Sequence, residues 1–153
     1  MKYTTEVIIN KPLEEVIAKL DDPENMKHWQ NGLIDYTLLN PDDPRKAGAQ
    51  MELRYQMGKR DVTMTETITK YDLPSEFHAT YDAKGVHNIQ NNYFHEVDAN
   101  TTRWVSESEF KFKGVAMKLM GIVMPKVFKK QSQKYLDDFK NFVENDVSVS
   151  ESK

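Results

Sequence analysis

Glu66 is the residue of this chain best placed to do chemistry. It interrupts a run of alternating threonines, Thr63, Thr65, Thr67 and Thr69. Met51, Leu53, Tyr55 and Met57 alternate with polar residues just before it, and Gly58-Lys59 can make a two-residue turn with glycine first. That turn sets Tyr55 opposite Val62, Leu53 opposite Met64 and Met51 opposite Glu66. The carboxyl then points inward among apolar side chains while the threonines face the other way. A carboxyl taken out of water holds its proton more tightly, which suits a general acid or base, or an anchor for the polar end of a ligand. The same pattern also fits a glutamate at a rim with its head in water.

A second polar group lies on one strand. Asn88, Gln90 and Asn92 share a face with Val86 and Phe94, and pairing Phe94 with Trp104 turns these amides inward, near Ser106 and Ser108. The opposite facing puts Ile89, Tyr93 and Val97 inside; the Lys84-Gly85 turn does not decide between them. Tyr55, Tyr81 and Tyr135 are possible phenolic donors. The four histidines form no metal motif. His87 and His95 share a face but stand about 25 Å apart along a strand, and no cysteine exists to assist them. There is no phosphate-binding glycine loop and no nucleophile elbow, so no cofactor is expected.

The elements that position these groups follow an order of their own. Tyr3, Thr5, Val7 and Ile9 alternate as a first strand, stopped by Asn10-Lys11-Pro12 with Asn10 as a possible helix cap. Leu13, Val16, Ile17 and Leu20 recur at helical spacing, and Pro23 to Trp29 makes a second short helix. Asn31-Gly32 turns into a strand at Ile34–Leu39. The hairpin around Gly58 follows, then strands over 76–82, 86–97 and 102–112. In the last, Trp104, Ser106, Ser108, Phe110 and Phe112 share the expected inner face. From Val115 to Glu144 the period is helical, with Phe128, Tyr135, Phe139 and Phe142 in one stripe and Pro125 expected to kink or divide it. Residues 1–145 read as a single domain and residues 146–153, which lack periodicity, as a disordered tail.

The chain resembles the START-like (SRPBCC) superfamily, in its polyketide cyclase/dehydrase-like branch. The resemblance is carried by Ile9-Asn10-Lys11-Pro12-Leu13-Glu14-Glu15-Val16, by Trp29, by the Asn100-Thr101-Thr102-Arg103-Trp104 turn and by the long terminal helix. It implies an α+β helix-grip fold: a seven-stranded antiparallel sheet curled around a long C-terminal helix, with two short helices after the first strand and a cavity between. It implies binding of lipids, sterols, polyketides or other apolar molecules, in some members with cyclisation or dehydration.

The expected function is binding of a small hydrophobic or amphipathic ligand in that cavity. The expected lining is Leu53, Tyr55, Met64 and Glu66 from the central hairpin and Trp104 and Phe110 from the last strand. Met120, Phe128 and Tyr135 complete it from the terminal helix. An enzyme in which Glu66 moves protons is the alternative. A third reading gives the apolar 115–128 segment, ten of whose fourteen residues are apolar, to a partner protein or membrane. Met51, Met57, Met64, Met117, Met120 and Met124 either fill core or line an adaptable pocket.

The bulk properties agree with a soluble domain. With 153 residues, 39% hydrophobic and 29% charged, and a net charge of −3, no nucleic-acid partner is expected. No run approaches the about 18 apolar residues of a membrane span, so no stable membrane insertion is expected. The lack of cysteine and of an apolar leader fits a cytoplasmic location.

Overall fold

The computed structural model describes residues 1–115, 118 and 124–150. Strand β1 (Lys2–Ile9) leads into helix α1 (Leu13–Leu20), a 3-10 turn (Pro23–Asn25) and the short helix α2 (Met26–Trp29). Strands β2 (Leu33–Leu38), β3 (Gln50–Met57), β4 (Arg60–Asp72), β5 (Glu76–Ala83), β6 (Val86–Asp98) and β7 (Thr101–Phe112) follow, and helix α3 (Pro125–Asn145) comes after them. The strands form one antiparallel sheet in the order β1-β7-β6-β5-β4-β3-β2. This is the expected helix-grip architecture. Met117 and Met120 lie outside the described residues.

The register of the central hairpin is the one its turn chemistry predicts: Tyr55 opposes Val62, Leu53 opposes Met64 and Met51 opposes Glu66. Gly58 supplies the positive φ, 64°, that such a turn needs. Gly32 is constrained by space as well. A side chain there would come within 2.6 Å of the Gln56 carbonyl oxygen. On β6 the amide face is the inner one, because Phe94 pairs with Trp104 and both are buried.

Two apolar clusters hold the layers together. In the first, Leu136, Phe139, Phe142 and Val143 of α3 pack on Val7, Ile9, Val16, Trp29, Phe94 and Trp104. Trp104 is its hub, with ring centroids 5.2 Å from Phe139, 5.5 Å from Phe94 and 6.0 Å from Trp29. The second gathers Met26, Met51, Leu53 and Tyr55 beneath Leu33, Leu38 and Met64. Beyond these, Phe128 of α3 sits 5.0 Å from Phe110 and 5.7 Å from Phe112.

Two local expectations change and one holds. Asn10 caps no helix. Pro12 immediately precedes α1, and the Asn10 side-chain amide donates instead to Glu144 on α3, at 3.2 Å. Pro125 divides the helical stretch as expected: Val115 and Lys118 are helical, Met124 is not, and α3 opens at Pro125, where its missing N–H would be unpaired in any case. Residues 146–150 do not trail away. Asp146 takes a left-handed conformation, φ 55°, and turns the chain back onto α2. The Val149 N–H donates to the His28 carbonyl at 3.0 Å, and the buried Ser148 hydroxyl lies 2.8 Å from His28 Nδ1. Aperiodicity there reports the end of the helix, not a lack of partners.

Candidate functional site

The antiparallel ladder places Glu66 opposite Tyr81, and Tyr81 opposite Asn88. Asn88 and Asn92 point to the same side, two rungs apart, because side chains alternate along a strand. A band of polar side chains therefore crosses the concave face of a mostly apolar interior. Glu66 is only 8% exposed, and Asn88 and Asn92 are 4% exposed.

The band is largely hydrogen-bonded within itself. The Asn88 amide donates to the Ser108 hydroxyl at 2.9 Å, and the Gln90 amide donates to Asn88 Oδ1 at 2.8 Å. The Trp104 indole N–H donates to Asn92 Oδ1 at 2.9 Å. Tyr81 stands opposite Glu66 on the neighbouring strand, and both line the pocket. Burial pushes the Glu66 carboxyl above its ordinary pKa, and the Tyr81 hydroxyl offsets part of that rise. Tyr81 is itself raised well above its usual value by burial and by the charge of Glu66.

A pocket of about 190 Å³ opens between this band and the α1–α2 segment. Its polar wall is Glu66, Tyr81, Gln90 and Asn92. Its apolar walls are Met26, Trp29, Met51, Ile68, Phe77, Phe94 and Trp104. Trp29 keeps a buried indole N–H with no hydrogen-bond partner, a state that costs about 1–3 kcal/mol.

The mouth lies at the end of the sheet where the β2–β3 connection returns. Arg45 of that connection binds Asp21 at the end of α1, Nε to Oδ2 at 3.1 Å. The Tyr71 hydroxyl donates to the other oxygen of Asp21 at 2.8 Å. Burial and this acceptor push Tyr71 up to about 12. All three residues line the pocket, so the triad ties a loop, a helix end and a strand together across the opening.

Of the expected lining residues, Glu66 and Trp104 face this pocket. Leu53, Tyr55 and Met64 belong to the neighbouring apolar cluster instead. Tyr55 reaches the pocket wall indirectly, donating its hydroxyl to Gln30 Oε1 at 2.5 Å. Phe110 and Phe128 pack on each other near the start of α3, and Tyr135 packs against the first cluster. Met120 lies outside the described residues.

Sequence reasoning missed Met26, Gln30, Asp21, Arg45 and Tyr71. They come from helix ends, from an aperiodic connection and, for Tyr71, from the far end of β4. The only signal in that connection is its density of proline and aspartate over Asn40–Pro44. Among the described residues no group of three or more His, Asp or Glu side chains could hold a metal ion.

The seven-stranded sheet and the gripping helix have counterparts among solved structures. Zhui aromatase/cyclase from Streptomyces sp. R1128 superposes with a TM-score of 0.77 at 15% identity, over 98% of this chain and 97% of that one. TTHA0849 from Thermus thermophilus gives 0.74 at 14% identity, over 94% and 97%. Ara h 8.0201 gives 0.71 at 12% identity, again over 94% and 97%. At such identities the likeness is one of fold. No curated protein sequence matches the chain. The sequence model of one family, described as polyketide cyclase/dehydrase and lipid transport, matches residues 1–144, nearly the whole helix-grip unit, and the chain belongs to that family.

Proposed function

We propose that the protein binds a small, neutral amphipathic molecule in the pocket beneath the Arg45–Asp21–Tyr71 triad. The observation that carries this reading is the buried Glu66 carboxyl, with Tyr81 opposite it, on the wall of a largely apolar pocket. Apolar walls supply affinity through burial, and a few fixed polar groups orient the guest. A Glu66 carboxyl that holds its proton offers a hydrogen-bond donor to a carbonyl or hydroxyl, and its charged form would repel a carboxylate ligand. The unpartnered Trp29 indole N–H adds a donor for a second oxygen. A cavity of about 150 Å³ holds benzene, so 190 Å³ takes a guest of roughly monocyclic size.

A second reading is favoured by the same carboxyl. Burial that raises its pKa also tunes it as a proton donor or acceptor toward an enolisable carbonyl, with Tyr81 beside it. Binding and proton transfer separate in one variant. Glu66→Gln keeps the volume and a donor but cannot move a proton.

Native mass spectrometry of protein purified from its own host, followed by denaturing extraction, tests the binding reading. A retained neutral molecule at one per chain supports it. The same preparation of Ile68→Trp, which fills the pocket, should lose that molecule. Retention by the filled variant would place the guest elsewhere and contradict the proposal.

A further inference from the structure

The end of the molecule opposite the pocket mouth carries a charge pattern that the net charge hides. It is built from the β3–β4 turn, the β5–β6 turn, residues 113–115 and 118 after β7 and the first turns of α3. The ladders fix their common location. Phe112 opposes Val86, the Lys113 N–H donates to the Gly85 carbonyl at 2.9 Å, and Phe128 rests on Phe112. The β3–β4 hairpin reaches further out. It stays paired to Met57 and Arg60, whereas β5 begins to accompany β4 only at Thr65. Its tip thus projects about 16 Å beyond the edge of β5.

Segments 57–61, 82–87, 111–118 and 124–130 hold nine of the chain's 21 basic residues and two of its 24 acidic ones. The two acids are Asp61 and Asp82, and Asp82 is engaged by His87 at 2.5 Å. Lys59, Arg60 and Lys84 on the turns are exposed and form no ion pair among the described residues. The same holds for Lys113, Lys118, Lys126, Lys129 and Lys130. Between these cations stand exposed apolar side chains: Met57 at 43%, Val115 at 78%, Met124 at 41% and Val127 at 54%. The rest of the surface is correspondingly acidic.

We propose that this end docks on an anionic lipid surface, with Met57, Val115, Met124 and Val127 entering the headgroup region and the surrounding lysines facing lipid phosphates and carboxylates. Unpaired cations around exposed apolar tips match a surface that is negative outside and apolar just beneath. An acidic protein or a nucleic acid would answer the lysines but would leave the aliphatic tips in water. The acidic remainder of the molecule is repelled by the same bilayer, which orients the docking end toward it. Because the pocket mouth lies at the other end of the strands, docking holds the protein at the membrane with the mouth toward water.

Vesicle flotation with the full chain tests this. Neutral phosphatidylcholine vesicles are compared with vesicles containing about one-third phosphatidylserine. The protein should float with the anionic vesicles at about 0.1 M salt, be released at about 0.5 M, and ignore the neutral ones. Replacing the three helix lysines together, Lys126→Ala, Lys129→Ala and Lys130→Ala, should weaken association about a hundredfold. Val115→Ser with Val127→Ser should weaken it roughly tenfold while binding to heparin stays unchanged. All five side chains are exposed, so circular dichroism should show an intact fold. No flotation of the wild type, or undiminished flotation of the triple variant, overturns the proposal. Unchanged flotation of the valine variant overturns it in favour of an acidic macromolecule.

Discussion

Glu66 and Tyr81 face each other across the β4–β5 ladder, and both line the same pocket. Neither is explained by the scaffold alone. A sheet needs no carboxyl on its concave side, and burying one costs free energy unless the proton stays on. The pH dependence of folding follows from that. The folded-state pKa of Glu66 lies above the ordinary 4.5, so the folded protein holds this proton where the unfolded chain has released it. The group is neutral in stability below the ordinary value and destabilises the fold progressively as pH rises past it, until the folded carboxyl also ionises. Glu66→Gln should therefore gain in melting temperature relative to wild type as pH rises above 4.5, the gain levelling off once the folded carboxyl ionises. A constant difference across that rise would contradict the burial of an ionisable Glu66.

Tyr81→Phe removes the hydroxyl beside Glu66 and keeps the ring. Affinity for a neutral carbonyl or hydroxyl ligand should fall about fivefold to tenfold, the worth of about 1 kcal/mol of hydrogen bonding. The Glu66 pKa should rise further, since the hydroxyl that opposes burial is lost. Titration calorimetry and carboxyl NMR read the two effects separately.

Trp104 carries more of the fold than any other residue near the site. Its ring contacts Trp29, Phe94 and Phe139, and its indole N–H satisfies Asn92. Trp104→Ala should cost about 3–5 kcal/mol by urea denaturation. Trp104→Phe should cost less, about 1–3 kcal/mol, chiefly through the orphaned Asn92 oxygen.

The Arg45–Asp21 contact lies across the pocket mouth and is largely exposed. An exposed pair contributes at most about 1 kcal/mol, so Arg45→Ala should barely move the melting temperature. It should speed ligand dissociation, because the β2–β3 connection loses its tie to α1. Stopped-flow release kinetics distinguish this from a loss of affinity at the pocket walls.

The fold and the hairpin register were legible because they rest on local chemistry. Gly58-Lys59 defines a turn, the turn defines parity, and parity turns Glu66 inward. The facing of Asn88, Gln90 and Asn92 was not decidable locally, since it depends on the pairing of Phe94 with Trp104 across two strands. The pocket mouth was less legible still. Asp21, Arg45 and Tyr71 are separated by 24 and 50 residues from Asp21 outward, and no periodicity in the 39–49 connection announces where Arg45 will land. The aromatic group of Phe110 and Phe128 shows the opposite case. Its residues face inward as their spacing predicts, yet they fill space by stacking on each other and are not part of the pocket wall.

Both tryptophans of the chain line the pocket, so their two indole N–H resonances report its occupancy directly. The decisive measurement is an NMR titration of those resonances with monocyclic phenols or ketones and with the matching ring carboxylates. Saturable shifts of the Trp29 and Trp104 indole signals by the neutral compounds, with little response to the carboxylates at neutral pH, are the result expected. Equal or tighter binding of the carboxylates, or indole signals unmoved by every neutral guest, would contradict a pocket built to hold a neutral amphipathic molecule against Glu66.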